Sequence, residues 1–145
     1  MKLIVEQSLE SKEVEIIIKC GLIDEHLEKL IDQIRRYSFS INGKKDGINY
    51  KIPLESIFYF EASEDKTFIY GEKAVYECDL KLYELEQQLA GTNFVRISKS
   101  CILNIMHLNS VRPLFHGKFE AQLKNQEKVI INRHYVPKFK EKFGL

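Results

Sequence analysis

FVRISKSCILN, residues 94–104, carries two apolar runs around a polar centre. Phe94, Val95 and Ile97 come first, Cys101, Ile102 and Leu103 last, with Ser98, Lys99 and Ser100 between them. Two readings fit such a junction. Either a tight loop joins two core elements and Lys99 is simply solvated, or the loop is held rigidly so that its cation and hydroxyls meet an anion. Both place the flanks in the core, so the neighbouring segments decide what kind of core it is.

On the N-terminal side, IPLESIFYFEASEDKTFIY (52–70) reads as strands carrying Ile57, Tyr59, Phe68 and Tyr70, joined by the polar turn ASEDK. EKAVYECD (72–79) continues as another strand. Asp79 is expected to cap a helix, LKLYELEQQLA, with Leu82, Leu85 and Leu89 in register and Gly91 as its stop. On the C-terminal side, SVRPLF, KFEAQL and KVIINR read as a β-meander with turns at 116–117 and 125–126. Phe119, Ala121 and Leu123 share a face by the period of two. No glycine supplies positive φ at 125–126, which implies a longer or bulged hairpin there. The tail YVPKFKEKFGL reads as a final helical turn after Pro137, with Phe139 and Phe143 packing back.

Further upstream, β-branched EVEIIIKC (13–20) reads as a strand, and residues 2–7 as a second short one. Gly21 breaks the run, and Asp24 is placed to cap the helix EHLEKLIDQIRRY, with Leu27, Leu30, Ile31 and Ile34 on one face. Arg35 and Arg36 fall at its C-terminus, where cations suit the helix dipole. NGKKDGINYK (42–51) is a turn region that serves equally as a hairpin or as a linker. Taken as a linker, it divides the chain into a small N-terminal segment, 1–45, and a main domain, 46–145. The former is too small to bury much area alone and is expected to pack on the domain, a second copy or a partner.

Composition narrows the function. At 44% hydrophobic and 30% charged the chain reads as globular. No apolar run approaches the roughly 18 residues of a membrane span, and acidic residues follow the N-terminus too closely for a secretory signal. A cytoplasmic location is expected. Three scattered cysteines argue against a disulfide framework. Residues 96–145 carry ten Lys and Arg against three Asp and Glu, a net +7, while 1–95 carry a net −6. Such polarity suits a polyanion partner for the C-terminal half, or a dipolar surface without one. No phosphate loop, nucleophile elbow or metal-ligand spacing is present, so no enzyme activity, metal or cofactor is expected. What remains is a set of polar loops: Lys66 and Thr67, then Ser98, Lys99 and Ser100, then Arg133 and His134. Each is individually ordinary. Together they have the donors to meet phosphates and base edges.

IFYFEASEDKTFIY, a helix ending YELEQQL, FVRISKSCILNI and a meander closing in VIINRHYVPKFKEKFGL together resemble the LytTR DNA-binding domain, an output domain of many bacterial transcription regulators. The resemblance spans about residues 46–145 and rests most on Phe94, Arg96, Lys99, Ser100 and Asn104 in that order. It implies an α+β, mainly β fold: an elongated antiparallel domain with one short side helix, here preceded by a small strand–helix segment. It implies loops that enter successive major grooves. Lys66, Thr67, Lys99 and Arg133 would contact bases, while Arg96, Ser98, Ser100 and His134 would contact phosphates or support the loops. It further implies double-stranded DNA with paired direct repeats, a homodimer at least on DNA and, as in small stand-alone members, a membrane-protein inhibitor. About 45 residues precede the domain, too few for a receiver domain of about 120, so no phosphorylation switch is expected. Glu64 and Asp65, beside Lys66, and Asn132, where serine is usual, depart from the family pattern. The acidic pair and the near-neutral total charge favour a competing reading, a protein-interaction module on the same scaffold without DNA binding.

Overall fold

The computed structural model describes residues 1–11, 15–38 and 40–145, without the side chains of 35–38. In chain order the elements are α1 (Glu25–Ser38), β1 (Ser40–Lys45), β2 (Ile48–Pro53), β3 (Ile57–Ser63), β4 (Lys66–Gly71), β5 (Val75–Cys78), α2 (Leu82–Gln88), β6 (Phe94–Arg96), β7 (Cys101–Asn104), β8 (Leu108–Pro113), β9 (Phe119–Leu123), β10 (Lys128–Ile131) and α3 (Val136–Phe143). A seven-stranded sheet has the order β2-β1-β5-β4-β3-β7-β6, and a three-stranded meander the order β10-β9-β8. Every strand pairing described is antiparallel. The mainly β, α+β fold expected from the sequence is the one observed.

β3 holds the molecule together because it is buried on both faces. Ile57 and Phe60 enter one apolar cluster, and Phe58 and Tyr59 enter the other. Strict alternation would not put 58 and 59 on the same side. The pairing of β3 with β4 shifts register between Ile57 and Tyr59, and that irregularity re-aims the side chains. The first cluster lies under α2, where Leu82, Leu85 and Leu89 cover Ile69, Phe94 and Ile102. The second lies between the large sheet and the meander, where Ala121, Leu123 and Ile131 meet Leu103 and the fully buried Phe139 of α3. Burial and the neighbouring Glu127 carboxylate push the Tyr59 hydroxyl well above the ordinary tyrosine range.

Left-handed backbone recurs in the connections between strands, including His116–Gly117 between β8 and β9. Asp46–Gly47 joins β1 to β2, and Glu64–Asp65 joins β3 to β4, both as two-residue turns with positive φ at both positions. Between β9 and β10 the loop is longer, as the missing glycine implied: Gln126 itself takes φ 75°, and Leu123 N–H donates to Glu127 O at 2.8 Å.

Several sequence expectations are corrected. Residues 2–7 form no strand, and neither do 15–20; the first part of the expected strand 13–20 lies outside the described residues. A single extended segment has no ladder without a neighbour, whatever its propensity. Of the two readings left open for residues 42–51, the hairpin is the one formed, with β1 paired to β2 along its whole length and to β5 at Lys44–Glu77. Asp79 does not cap α2. Lys81 occupies the N-cap, and Glu84 Oε1 accepts from its backbone N–H at 3.0 Å. Asp24 caps α1 as expected, its Oδ1 accepting from Leu27 N–H at 2.8 Å.

Candidate nucleic-acid interface

The 97–101 loop is built by backbone bonds before any side chain contributes. Ile97 N–H donates to Cys101 O at 3.0 Å and closes the loop. Ala62 N–H donates to Ser100 O at 2.8 Å and ties it to the end of β3, beside the Glu64–Asp65 turn. Asn132 N–H donates to Ile97 O at 2.9 Å and ties it to the end of β10. Three chain segments far apart in sequence therefore meet at one loop.

Arg96 locks that loop from below. Its Nε donates to Ser98 O at 2.7 Å, its Nη2 to Lys99 O at 2.6 Å, and its Nη1 to Glu86 Oε2 of α2 at 2.9 Å. Its side chain is only 17% exposed. A planar guanidinium with divergent donors suits this triple task, which a lysine ammonium does not match. Ser98 Oγ accepts from Ser100 N–H at 3.2 Å, so both serines also shape the turn. Lys99 projects from this frame into solvent.

The remaining expected residues fall into two groups around the loop. Lys66, Thr67, Arg96 and Lys99 line one shallow depression, together with Lys81. Lys66 is exposed and faces Glu77 at 3.6 Å. Thr67 is 4% exposed and paired between Ala62 and Cys78, so it forms floor rather than rim. Arg133 and His134 are exposed on the 3-10 turn after β10, outside that depression but joined to its loop through the Asn132–Ile97 bond. The Arg133 stem lies across Gly117, where a Cβ would stand 3.1 Å from Arg133 Cγ.

One contributor was not anticipated, and one residue of the family motif gains its role only here. Lys81 is exposed on the rim and its Nζ donates to Asp65 O at 3.3 Å, which brings a third lysine beside Lys66 and Lys99. Nothing in its sequence neighbourhood marks it, because its position follows from where α2 begins. Asn104 has an architectural role: buried, it donates from Nδ2 to Ile57 O at 2.8 Å and accepts at Oδ1 from Met106 N–H at 3.0 Å. Cys101, at the loop's far end, has its thiol pushed up to about 12 by burial and the Glu61 carboxylate. Among the described residues no helix is long and apolar enough to cross a membrane.

The chain is similar to known proteins in sequence and fold. The sequence model of the LytTr DNA-binding domain matches residues 48–144. The sensory transduction protein LytT of Enterococcus faecalis is 33% identical over 96 residues, 66% of this chain and 40% of LytT. The transcriptional regulatory protein YpdB of Escherichia coli K12 is 27% identical over 109 residues, 74% of this chain and 45% of YpdB. The chain thus spans less than half the length of these curated relatives. A solved LytTr DNA-binding domain from Bacillus cereus superposes with a TM-score of 0.69 at 25% identity, covering 74% of this chain and 98% of that one. With a family match over two-thirds of its length and the same fold, this chain belongs to the LytTr DNA-binding domain family.

Proposed function

We propose that this chain is a sequence-specific DNA-binding transcription regulator that reads successive major grooves through loops of its β scaffold. The observation that carries the reading is the convergence of Lys66, Lys81 and Lys99 on one depression whose central loop is clamped by Arg96. Clamping lowers the entropy lost on binding and fixes the reach of Lys99. Lys99 and Arg133 contact base edges, with Lys66 beside them; Ser98, Ser100 and His134 face phosphates. Thr67 supports the first turn from beneath and Arg96 supports the second. Two copies on paired direct repeats gain effective concentration over one. Recovery of membrane-bound and cytoplasmic fractions with their partners tests the cytoplasmic location and the membrane-protein inhibitor together.

Selection from a random duplex library, followed by titration of the winners at two salt concentrations, tests the central claim. A recovered motif with spaced repeats and a steep salt slope supports it, because each neutralised phosphate releases counterions. One observation favours a second reading: Glu64 and Asp65 sit at the tip of the turn beside Lys66, and Glu77 faces that lysine. A protein-interaction module would show no enrichment of DNA even at low salt.

A further inference from the structure

Residues 15–19, EIIIK, have the composition of a strand yet lie outside every strand. Ile16, Ile17 and Ile18 are 57%, 73% and 39% exposed. Among the described residues, neither apolar cluster draws on the segment before Ile41, so this run is surplus to their packing. Among the described residues no strand lies beside its backbone amides or its apolar side chains, and consecutive exposed isoleucines mark a contact surface.

The run carries complementarity to one occupant in particular, which is itself. Antiparallel pairing of 15–19 with the same segment of a second copy, centred on Ile17, sets Glu15 opposite Lys19 at both ends. Ile16 then meets Ile18 twice on the other face. A shift of one residue loses both charge pairs. Parallel in-register pairing would set Glu15 against Glu15 and Lys19 against Lys19. We propose that residues 15–19 form an intermolecular antiparallel strand pair with a second copy of this chain, with its two-fold axis at Ile17. Such an interface is isologous, each Glu15 serving the partner's Lys19. A bare two-stranded ribbon is marginal, and the exposed Leu3, Ile4 and Val5 supply apolar cover for it. Residues 21–24 form neither helix nor strand, so the two-fold axis of the ribbon does not dictate how the two DNA-binding domains face. Both copies can therefore address repeats of the same orientation.

Sedimentation velocity on the full chain without DNA, at tens of micromolar, tests this pairing. The wild type is expected to be dimeric. Glu15→Lys and Lys19→Glu each turn two attractive pairs repulsive and weaken the dimer about tenfold or more. The double variant Glu15→Lys/Lys19→Glu restores it. So does an equal mixture of the two single variants, since one copy then carries two lysines and the other two glutamates. Restoration by mixing requires the contact to lie between copies. A monomeric wild type, single variants that dimerise like the wild type, or a mixture that stays monomeric each overturns the proposal. This result stands apart from the DNA reading, because binding to a single-repeat duplex reports the domain without the dimer.

Discussion

Replacing Arg96 by glutamine separates two roles that the sequence alone leaves together, phosphate contact and loop clamp. Arg96 gives two hydrogen bonds to loop carbonyls, at 2.7 and 2.6 Å, and an ion pair to Glu86 at 2.9 Å. A hydrogen bond from a charged donor contributes about 1.5–3 kcal/mol. The freed carbonyls belong to a half-exposed loop and regain water, so the low end applies to each. The Glu86 partner is 44% exposed, which limits that ion pair to about 0.5 kcal/mol. The expected loss is therefore about 3–4 kcal/mol of unfolding free energy, measured by urea titration. Arg96→Lys should recover less than half of it, since one ammonium cannot reach divergent acceptors. The decisive assay is the slope of log affinity against log salt for specific DNA. A clamp lowers affinity through loop disorder and leaves the slope unchanged. A phosphate contact lowers the slope by about one and leaves stability nearly intact. The second outcome would refute the clamp.

Other predictions follow from the same geometry. Lys99→Ala and Arg133→Ala should each reduce discrimination between specific and random DNA by about 1–3 kcal/mol; equal loss on both DNAs reassigns the residue to phosphate. Gly117→Ala should destabilise the protein by about 1–2 kcal/mol and lower DNA affinity, because φ is +75° there and the new methyl displaces Arg133. Asn104→Ala should cost about 2–4 kcal/mol in urea unfolding, since it orphans the buried Ile57 carbonyl that Nδ2 serves. The Cys101 thiol has its folded value raised to about 12 from the ordinary 9.0. Its contribution to stability is thus fully present below pH 9 and is lost as pH rises towards 12; Cys101→Ala should flatten the alkaline limb of the stability curve. A thiol reagent at neutral pH should label exposed Cys20 before part-buried Cys101 or buried Cys78.

Much of the fold was legible because its signals are local. The α1 stripe, the leucines of α2 and the shared face of Phe119, Ala121 and Leu123 follow from periodicities of 3.6 or 2, and the Asp24 cap from its place just before the first helical turn. The order of Phe94, Arg96, Lys99, Ser100 and Asn104 was enough to indicate the family and to single out the loop around Lys99. The structure alone decided what those residues do to one another. Arg96 has the same spacing to Lys99 whether it points at DNA or folds back, and only Glu86, ten residues away on α2, fixes its direction. Thr67 looks free beside Lys66, yet sheet pairing on both sides buries it. Arg133 joins the Lys99 loop through a single backbone bond spanning 97 to 132, and Lys81 joins it because α2 starts where it does. Residues 15–20 read as a strand and form none within the described chain. A side chain's preference is set by its own atoms, whereas a partner is set by which distant segment arrives beside it, and that contact has no local trace.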